Sequence, residues 1–331
     1  MKVEAVKDVG GSAVGTPPKR KAKWMKTFRD NFELSLLALP ATVLLFIFCY
    51  IPMFGVIISF KDYKAARGIL GSDWSGLENF RFFFASSDAW VITRNTVGLN
   101  LLFIATNLIA SVAIALMLYE VTSKACIKIY QTAMIFPNFL SWVVVGFMFY
   151  AFFSPATTPD GKSMGMANQW IAALGGTPIN WYSDAKLWPT ILTLASLWKT
   201  AGYNSIIYYA ALMGVDSSYF EAAAIDGANK WQTIRKISIP FLIPTMTVLT
   251  ILAIGGIFRQ DFGKFYYLTK DVAQLYPTTN VIDTYIFKAL KTSPNYGMTA
   301  AVGLYQSFVG FILVVATNAV VKRIDPDSAL Y

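Results

Sequence analysis

The chain has 331 residues, of which 55% are hydrophobic and 15% aromatic, and it carries a formal net charge of +9 without any histidine. Soluble domains contain about 45–50% apolar residues even when glycine is counted, so this composition argues against an ordinary soluble domain. The lack of histidine excludes imidazole bases, imidazole proton relays and histidine ligands to zinc. The lipid bilayer is therefore the expected solvent of this chain.

Two segments precede the apolar part. Residues 1–22 are rich in Gly, Pro, Ala and Lys and have no periodic apolar face, which predicts a flexible cytoplasmic tail. In residues 23–33, Trp24, Phe28 and Phe32 recur every four positions between basic residues. This pattern predicts an amphipathic helix lying on anionic lipid headgroups.

Six apolar stretches follow, each long enough for the ~20 helical residues that cross a hydrocarbon core of ~30 Å. They lie at 34–60, 96–118, 129–153, 189–213, 241–258 and 298–321. We expect an all-α integral membrane protein with six transmembrane helices in one domain, residues 34–321, and a short tail at 322–331. Its loop at 214–240 is polar.

The distribution of basic residues indicates the orientation of these helices. With the N-terminus in the cytoplasm, fifteen Lys and Arg fall in cytoplasmic segments of about 80 residues, against twelve in about 109 residues outside. Both termini and the 214–240 loop are then expected in the cytoplasm.

The sequence lacks the residues by which a transporter usually couples to a proton gradient or binds ATP. None of the nineteen acidic residues lies inside them, whereas proton-driven carriers commonly place a carboxylate near the membrane midplane. The chain also has no P-loop motif for ATP phosphates. We expect no catalytic residue, no metal site and no cofactor in this chain. An ion-coupled secondary carrier and an intramembrane enzyme on lipid-linked sugar are the less favoured alternatives.

Lys199 is the ionisable exception inside the predicted helices. An ammonium facing lipid at that depth costs at least ~2.5 kcal/mol, so Lys199 should face a partner, a cavity or a pathway. Tyr203 lies on the same helical face, and Asn204 with Tyr208 forms a neighbouring polar stripe. Two interpretations remain open, a pathway wall that hydrogen-bonds a solute and a packing contact with another helix.

Polar residues in the second and third predicted helices add candidates for a pathway. Asn100 and Asn107 share one helical face, and Asn138 and Trp142 follow Pro137. Amides and aromatic rings are typical of carbohydrate sites. Hydrogen bonding between helices accounts for the same residues and is the favoured interpretation for any one of them.

The polar loop at 214–240 has the composition of a helical hairpin. Ser218 and Glu221 have the Ser-x-x-Glu form of a capping box, which predicts a helix beginning at Ser218. Gly227 can adopt the left-handed conformation that ends this helix, and a second helix is expected from about Ala228 toward Pro240. The alanines 222–224 favour a helix of little bulk, which suits a groove on another protein.

The spacing in this loop resembles the cytoplasmic loop of bacterial ABC importer permeases. Their pattern is Glu-Ala-Ala, three residues, Gly, nine residues, Ile, one residue, Leu-Pro, and Ile239 replaces the Leu here. The resemblance implies the type I ABC importer permease (MetI-like) fold and coupling to ATPase subunits through this loop. The residues expected to serve coupling are Ser218, Glu221, Ala222, Ala223, Asp226, Gly227, Ile237 and Pro240.

Several stretches also resemble the maltose-type sugar permeases, among them Asn95-Thr96, Ser141-Trp142 and residues 296–301. Residues 270–285 differ from the turn of many such relatives and resemble permeases for complex polysaccharides. The resemblance implies a location in the bacterial inner membrane. It also implies a second homologous permease, two ATPase subunits that hold ATP and Mg, and an extracytoplasmic substrate-binding protein.

The implied substrates are oligosaccharides or polysaccharides, acidic ones such as alginate fragments first among them. A neutral oligosaccharide or glycerol phosphate is the alternative. The net charge of +9 does not indicate the charge of the substrate, because eight of the basic residues lie in the N-terminal cytoplasmic stretch. Arg259 and Lys264, at the outer end of the fifth predicted helix, are better placed to meet a uronate carboxylate.

Overall fold

The computed structural model describes residues 31–155, 157, 165–259, 261–292 and 295–324. The predicted N-terminal tail, most of the predicted interfacial helix and most of the predicted C-terminal tail lie outside these ranges. The chain divides at Gly55 into two units, which we describe separately.

The first unit contains α1 (Phe32–Leu45), a π-helical turn (Phe46–Tyr50) and α2 (Ile51–Met53). None of its described residues, 31–55, is buried, although most of them are large and apolar. Such a surface is stable only against lipid or another protein. The boundary between the units, after Gly55, falls within a 3₁₀-helical segment, Phe54–Phe60.

The described part of the second unit is mainly helical and contains a short antiparallel ribbon in which Lys61 pairs with Trp74. The strands are β1 (Lys61–Asp62) and β2 (Asp73–Trp74). The helices before the polar loop are α3 (Gly68–Gly71), α4 (Glu78–Phe84), α5 (Ser87–Tyr119), α6 (Lys124–Phe139), α7 (Trp142–Phe153), α8 (Met166–Ala173) and α9 (Trp188–Met213). The others are α10 (Ser217–Ile225), α11 (Lys230–Thr233), α12 (Ile239–Gly255), α13 (Phe262–Thr269), α14 (Tyr276–Thr279), α15 (Ile282–Thr292) and α16 (Tyr296–Ile324).

Each stretch predicted to cross the membrane is mostly helical, but fewer than six of them meet the length and hydropathy expected of a membrane crossing. Within the described ranges, four helical segments are long and apolar enough, or five if the bent pair α6 and α7 is one crossing. The four are Phe32–Phe60, Asp88–Tyr119, Lys230–Gly255 and Tyr296–Arg323. Helix α9 is not among them, because Lys199 and its many Thr, Ser, Tyr and Asn residues lower its mean hydropathy. The number six stays a prediction.

The stretch predicted as one helix at 129–153 is broken, which corrects that expectation. Helices α6 and α7 meet at 95°. Pro137 has no amide hydrogen to continue the helical ladder, and Leu140 is extended with ψ 134°. The side chain of Ser141 then caps α7 by accepting a hydrogen bond from the Val144 amide.

Helix α9 lies at the centre of the second unit. It packs along α5 and also contacts α6, α12 and α13. Trp188, Leu192 and Leu212 are fully buried along its length. Gly202 permits the close approach to α6, because a Cβ atom there would collide with the backbone of Met134. Four polar residues of α9, Thr193, Ser196, Lys199 and Ser205, are buried against the other helices.

Candidate functional site

A cavity of about 360 Å³ lies between α5, α9, α12 and α13. This volume falls at the lower end of the range for small-molecule sites. Its walls combine amides, hydroxyls, aromatic rings and the ammonium of Lys264 with apolar side chains. The lining residues are Asn100, Phe103, Ile104, Asn107, Leu108, Ser196, Thr200, Asn204, Tyr208, Leu249, Thr250, Ala253 and Lys264.

A hydrogen-bond network around Asn107 joins α5 to α9 along one wall. Asn107 Nδ2 donates to Thr200 Oγ1 at 2.6 Å, and Asn204 Nδ2 donates to Asn107 Oδ1 at 2.7 Å. Ser111 Oγ donates to the same Asn107 oxygen at 3.1 Å. Asn107, Thr200 and Asn204 both pack the helices together and line the cavity, so their geometry fits each of the two interpretations of the sequence.

Asn100 and Tyr208 complete the polar wall. Asn100 is buried, and its Nδ2 donates to the carbonyl oxygen of Ile257 at 2.9 Å. Tyr208 is also buried and belongs to a core cluster with Leu212 and Leu242. Five of the ten residues predicted to line a pathway thus meet in one cavity: Asn100, Asn107, Asn204, Tyr208 and Lys264.

Lys199 occupies a different place, the break between α6 and α7. Its Nζ donates to the carbonyl oxygens of Asn138 at 2.8 Å, Leu140 at 2.5 Å and Pro137 at 3.4 Å. The last carbonyls of a helix have no intrahelical partner and carry partial negative charge, so a lysine suits them. This geometry favours the helix-packing interpretation of Lys199.

The other predicted pathway residues do not line the cavity. Trp142 donates its indole N–H to the carboxylate of Asp261, and its ring centroid lies 5.3 Å from Lys199 Nζ. Asn138 serves Lys199 through its backbone carbonyl. Tyr203 is 48% exposed, and Arg259 is exposed just after α12.

The 214–240 loop begins with α10, whose cap differs from the predicted one. The helix starts at Ser217, and Asp216 caps it by accepting the Ser218 amide hydrogen at Oδ1, 2.9 Å away. The expected Ser218–Glu221 capping box is therefore wrong. A carboxylate competes well for this position because the helix N-terminus carries partial positive charge. The same amide lowers the pKa of Asp216.

The end of α10 is as predicted. Gly227 has φ 75°, and the amides of Gly227 and Ala228 donate to the carbonyls of Ala224 and Ala223 at 3.1 and 2.9 Å. These two bonds form a Schellman motif with glycine at its left-handed position. The second helix starts at Lys230 rather than near Ala228.

That start has a capping box that the sequence reasoning missed. The Asn229 side chain accepts the Gln232 amide hydrogen at 2.9 Å, and the Gln232 side chain accepts the Asn229 amide hydrogen at 2.8 Å. The signal was the Asn-x-x-Gln spacing. Helix α11 continues through a π-helical turn, Ile234–Ser238, into α12, so Ile237 and Pro240 lie in one helical run.

Helix α10 is fastened to the ends of two long helices. The rings of Phe220 and Tyr119 lie 5.3 Å apart, which joins it to α5, and those of Tyr219 and Phe241 lie 5.2 Å apart, which joins it to α12. Its other face presents Glu221, Ala222 and Asp226 to the outside. Ile225 beside them is 86% exposed.

Comparison with known proteins decides the family. A model of the family described as "binding-protein-dependent transport system inner membrane component" matches residues 108–326. The chain belongs to this family. The match contains the whole 214–240 loop and most of the cavity lining, and the family description itself names a dependence on a binding protein.

Two relatives from Bacillus subtilis match nearly the whole chain. Protein LplB is 33% identical over 92% of this chain and 93% of its own length. The polygalacturonan/rhamnogalacturonan transport system permease protein YteP is 32% identical over 92% of both chains. These matches confirm the resemblance to sugar permeases that was inferred from the sequence.

Solved structures confirm the fold. A bacterial ABC transporter involved in the import of the acidic polysaccharide alginate contains a chain with 29% identity and a TM-score of 0.81, covering 92% of this chain and 99% of that one. The alginate transporter in complex with a periplasmic protein carrying an alginate pentasaccharide matches with a TM-score of 0.80 and 29% identity, covering 90% and 97%. This inner-membrane component is thus an all-α, multi-pass ABC importer permease.

Proposed function

We propose that this chain forms part of the pathway by which an ATP-driven importer moves oligosaccharides or polysaccharides across the bacterial inner membrane, acidic ones in particular. The cavity carries the proposal. It combines side-chain amides and hydroxyls with the Phe103 ring and the Lys264 ammonium, a mixture suited to sugar hydroxyls, sugar faces and a carboxylate. The relatives named for polygalacturonan and alginate transport support a carbohydrate substrate.

The proposal assigns ATP and Mg to separate subunits. Two ATPase subunits bind them and dock on the 214–240 loop, which faces the cytoplasm together with both termini. The lack of a P-loop in this chain is consistent with this assignment. A second homologous permease completes the pathway, and an extracytoplasmic binding protein delivers the sugar. The residues proposed to contact the ATPase are those named above from the loop, with Glu221 and Asp226 on the exposed face.

Helix α5 connects the two sites mechanically. Its last residue, Tyr119, contacts Phe220 of α10, and Asn107 lies twelve residues earlier in the cavity wall, about 18 Å along the helix axis. When the ATPase subunits close and displace α10, a rigid α5 carries that displacement to Asn107 and Asn100. The cavity then changes which side of the membrane it opens to.

A matched pair of glycine variants tests the coupling. Gly227 and Gly303 both have open space around a Cβ atom, but only Gly227 of the two has a positive φ. A β-branched residue is strained at that φ, so Gly227→Val should distort the end of α10. In proteoliposomes holding this chain with its cognate permease, ATPase and binding protein, Gly227→Val should lower ATP-driven sugar uptake at least roughly tenfold. Gly303→Val serves as the control.

Two results would contradict the proposed function. Sugar accumulation without the ATPase subunits would show that the energy source is elsewhere, as would loss of uptake when ion gradients are dissipated at constant ATP. A panel of acidic oligosaccharide, neutral oligosaccharide and glycerol phosphate identifies the substrate class.

A further inference from the structure

Lys264 is a buried lysine whose ammonium faces open space. It lies on α13, is 5% exposed as a whole residue and lines the 360 Å³ cavity. Its Nζ lies 3.8 Å from the ring centroid of Phe103 and 5.3 Å from that of Phe265. Cation–π contacts of this kind partly replace the lost hydration of an ammonium, but they leave its three N–H donors without acceptors.

The contacts of Lys264 Nζ contain no such acceptor among the described residues. The ion pairs found within 4 Å among the described residues are formed by Lys64, Arg67, Lys230 and Lys288 and do not include Lys264. Asp261 is close enough to favour the charged form of Lys264 by Coulombic attraction, but its carboxylate accepts the Trp142 indole hydrogen instead. A buried ammonium in this state gains free energy from any anionic oxygen that reaches it.

The rest of the cavity is neutral. Asn100, Asn107, Asn204 and Thr200 can bind sugar hydroxyls but have no preference for charge. The two other cations predicted to meet the substrate lie elsewhere, since Lys199 is bound to three carbonyls and Arg259 is outside the lining. Charge selection in this cavity therefore depends on one side chain.

We propose that Lys264 is the specificity-determining residue of the cavity and binds a carboxylate of an acidic sugar while the neighbouring amides bind its hydroxyls. This inference rests on the proposed transport function. It assigns the preference for acidic over neutral sugars to Lys264 alone, with the Phe103 ring holding the ammonium toward the cavity.

The test compares two lysines that each contact an aromatic ring. Lys270 directly follows α13, its Nζ lies 4.2 Å from the Phe147 ring centroid, and it does not line the cavity. Lys270→Met is therefore the matched control for Lys264→Met. Uptake is measured in the reconstituted importer with a short oligouronate and its carboxyl-reduced neutral counterpart of the same linkage. We expect Lys264→Met to lower the ratio of acidic to neutral uptake at least roughly tenfold, and Lys270→Met to leave it within about twofold.

Each other outcome has a defined meaning. An unchanged ratio in Lys264→Met overturns the role of Lys264 and leaves the transport function standing. Import of the neutral sugar alone by the unaltered protein overturns both the role of Lys264 and the preference for acidic sugars, and leaves sugar transport itself standing. Import of neither sugar by the unaltered protein overturns the proposed function. If Lys264→Met does not assemble, Lys264→Gln, which keeps a polar end group, replaces it with the same expected change.

Discussion

The helix break and the cavity each contain a buried lysine, and the two lysines have opposite surroundings. Lys199 and Lys264 are 7% and 5% exposed, so burial does not distinguish them. Lys199 donates to three backbone carbonyls at the end of α6, whereas Lys264 rests on the Phe103 ring beside a cavity. A charge whose donors are occupied by the protein stabilises structure, and a charge whose donors face a cavity can bind a ligand.

The largest effect that this comparison predicts is at the break. Lys199→Met removes the ammonium that donates to the carbonyls of Pro137, Asn138 and Leu140, of which the Pro137 carbonyl also accepts the Leu140 amide hydrogen. Because hydrogen bonds to a charged group contribute about 1.5–3 kcal/mol and unpaired buried carbonyls are costly, we expect a loss of about 3 kcal/mol in stability. Thermal unfolding of the purified permease in detergent measures it. Lys270→Met is the control, and an unchanged melting temperature would show that the break does not depend on Lys199.

A smaller effect is expected at the centre of the cavity wall. Asn107→Leu removes the hydrogen bonds that Asn107 shares with Thr200, Asn204 and Ser111. We expect uptake of acidic and neutral oligosaccharides to fall by the same factor, roughly tenfold, because the lost amide does not discriminate charge. The reconstituted uptake assay measures both sugars. A selective loss of the acidic sugar would move charge selection from Lys264 to this wall.

The smallest effect is expected from one hydroxyl of the same wall. Thr200→Val keeps the shape of the side chain and removes the oxygen that accepts from Asn107. The cost should be about 1 kcal/mol, and the ratio of acidic to neutral uptake should not change. Paired uptake measurements and thermal unfolding test both statements. A change in that ratio would contradict the assignment of charge selection to Lys264.

Helix ends could be predicted from the sequence where the residues that form them are close neighbours in the chain. Gly227 ends α10 as predicted, because a left-handed residue after a short helix is a local requirement that glycine meets best. The cap of α10 was mispredicted for a related reason. Asp216 and Ser218 both offer an oxygen near the first turn, and the backbone geometry decided for Asp216.

The break in the third predicted helix was only half visible in the sequence. Pro137 indicates a weak point, but apolar residues continue on both sides and suggest one crossing. At the 95° bend the exposed carbonyls accept from Lys199, which lies 59 to 62 residues away in sequence. Contacts of such sequence separation leave no periodic pattern, so sequence reasoning could place Lys199 in a helix without identifying its partners.

The sequence by itself determined the membrane class, the helical stretches and the residue spacing of the 214–240 loop, because hydropathy, helical period and motif spacing are properties of neighbouring residues. Only the tertiary structure decided which polar side chains share a cavity and which hold helices together. That division depends on where α5, α9, α12 and α13 meet, and the packing of distant helices determines whether each buried donor finds a backbone acceptor or faces open space.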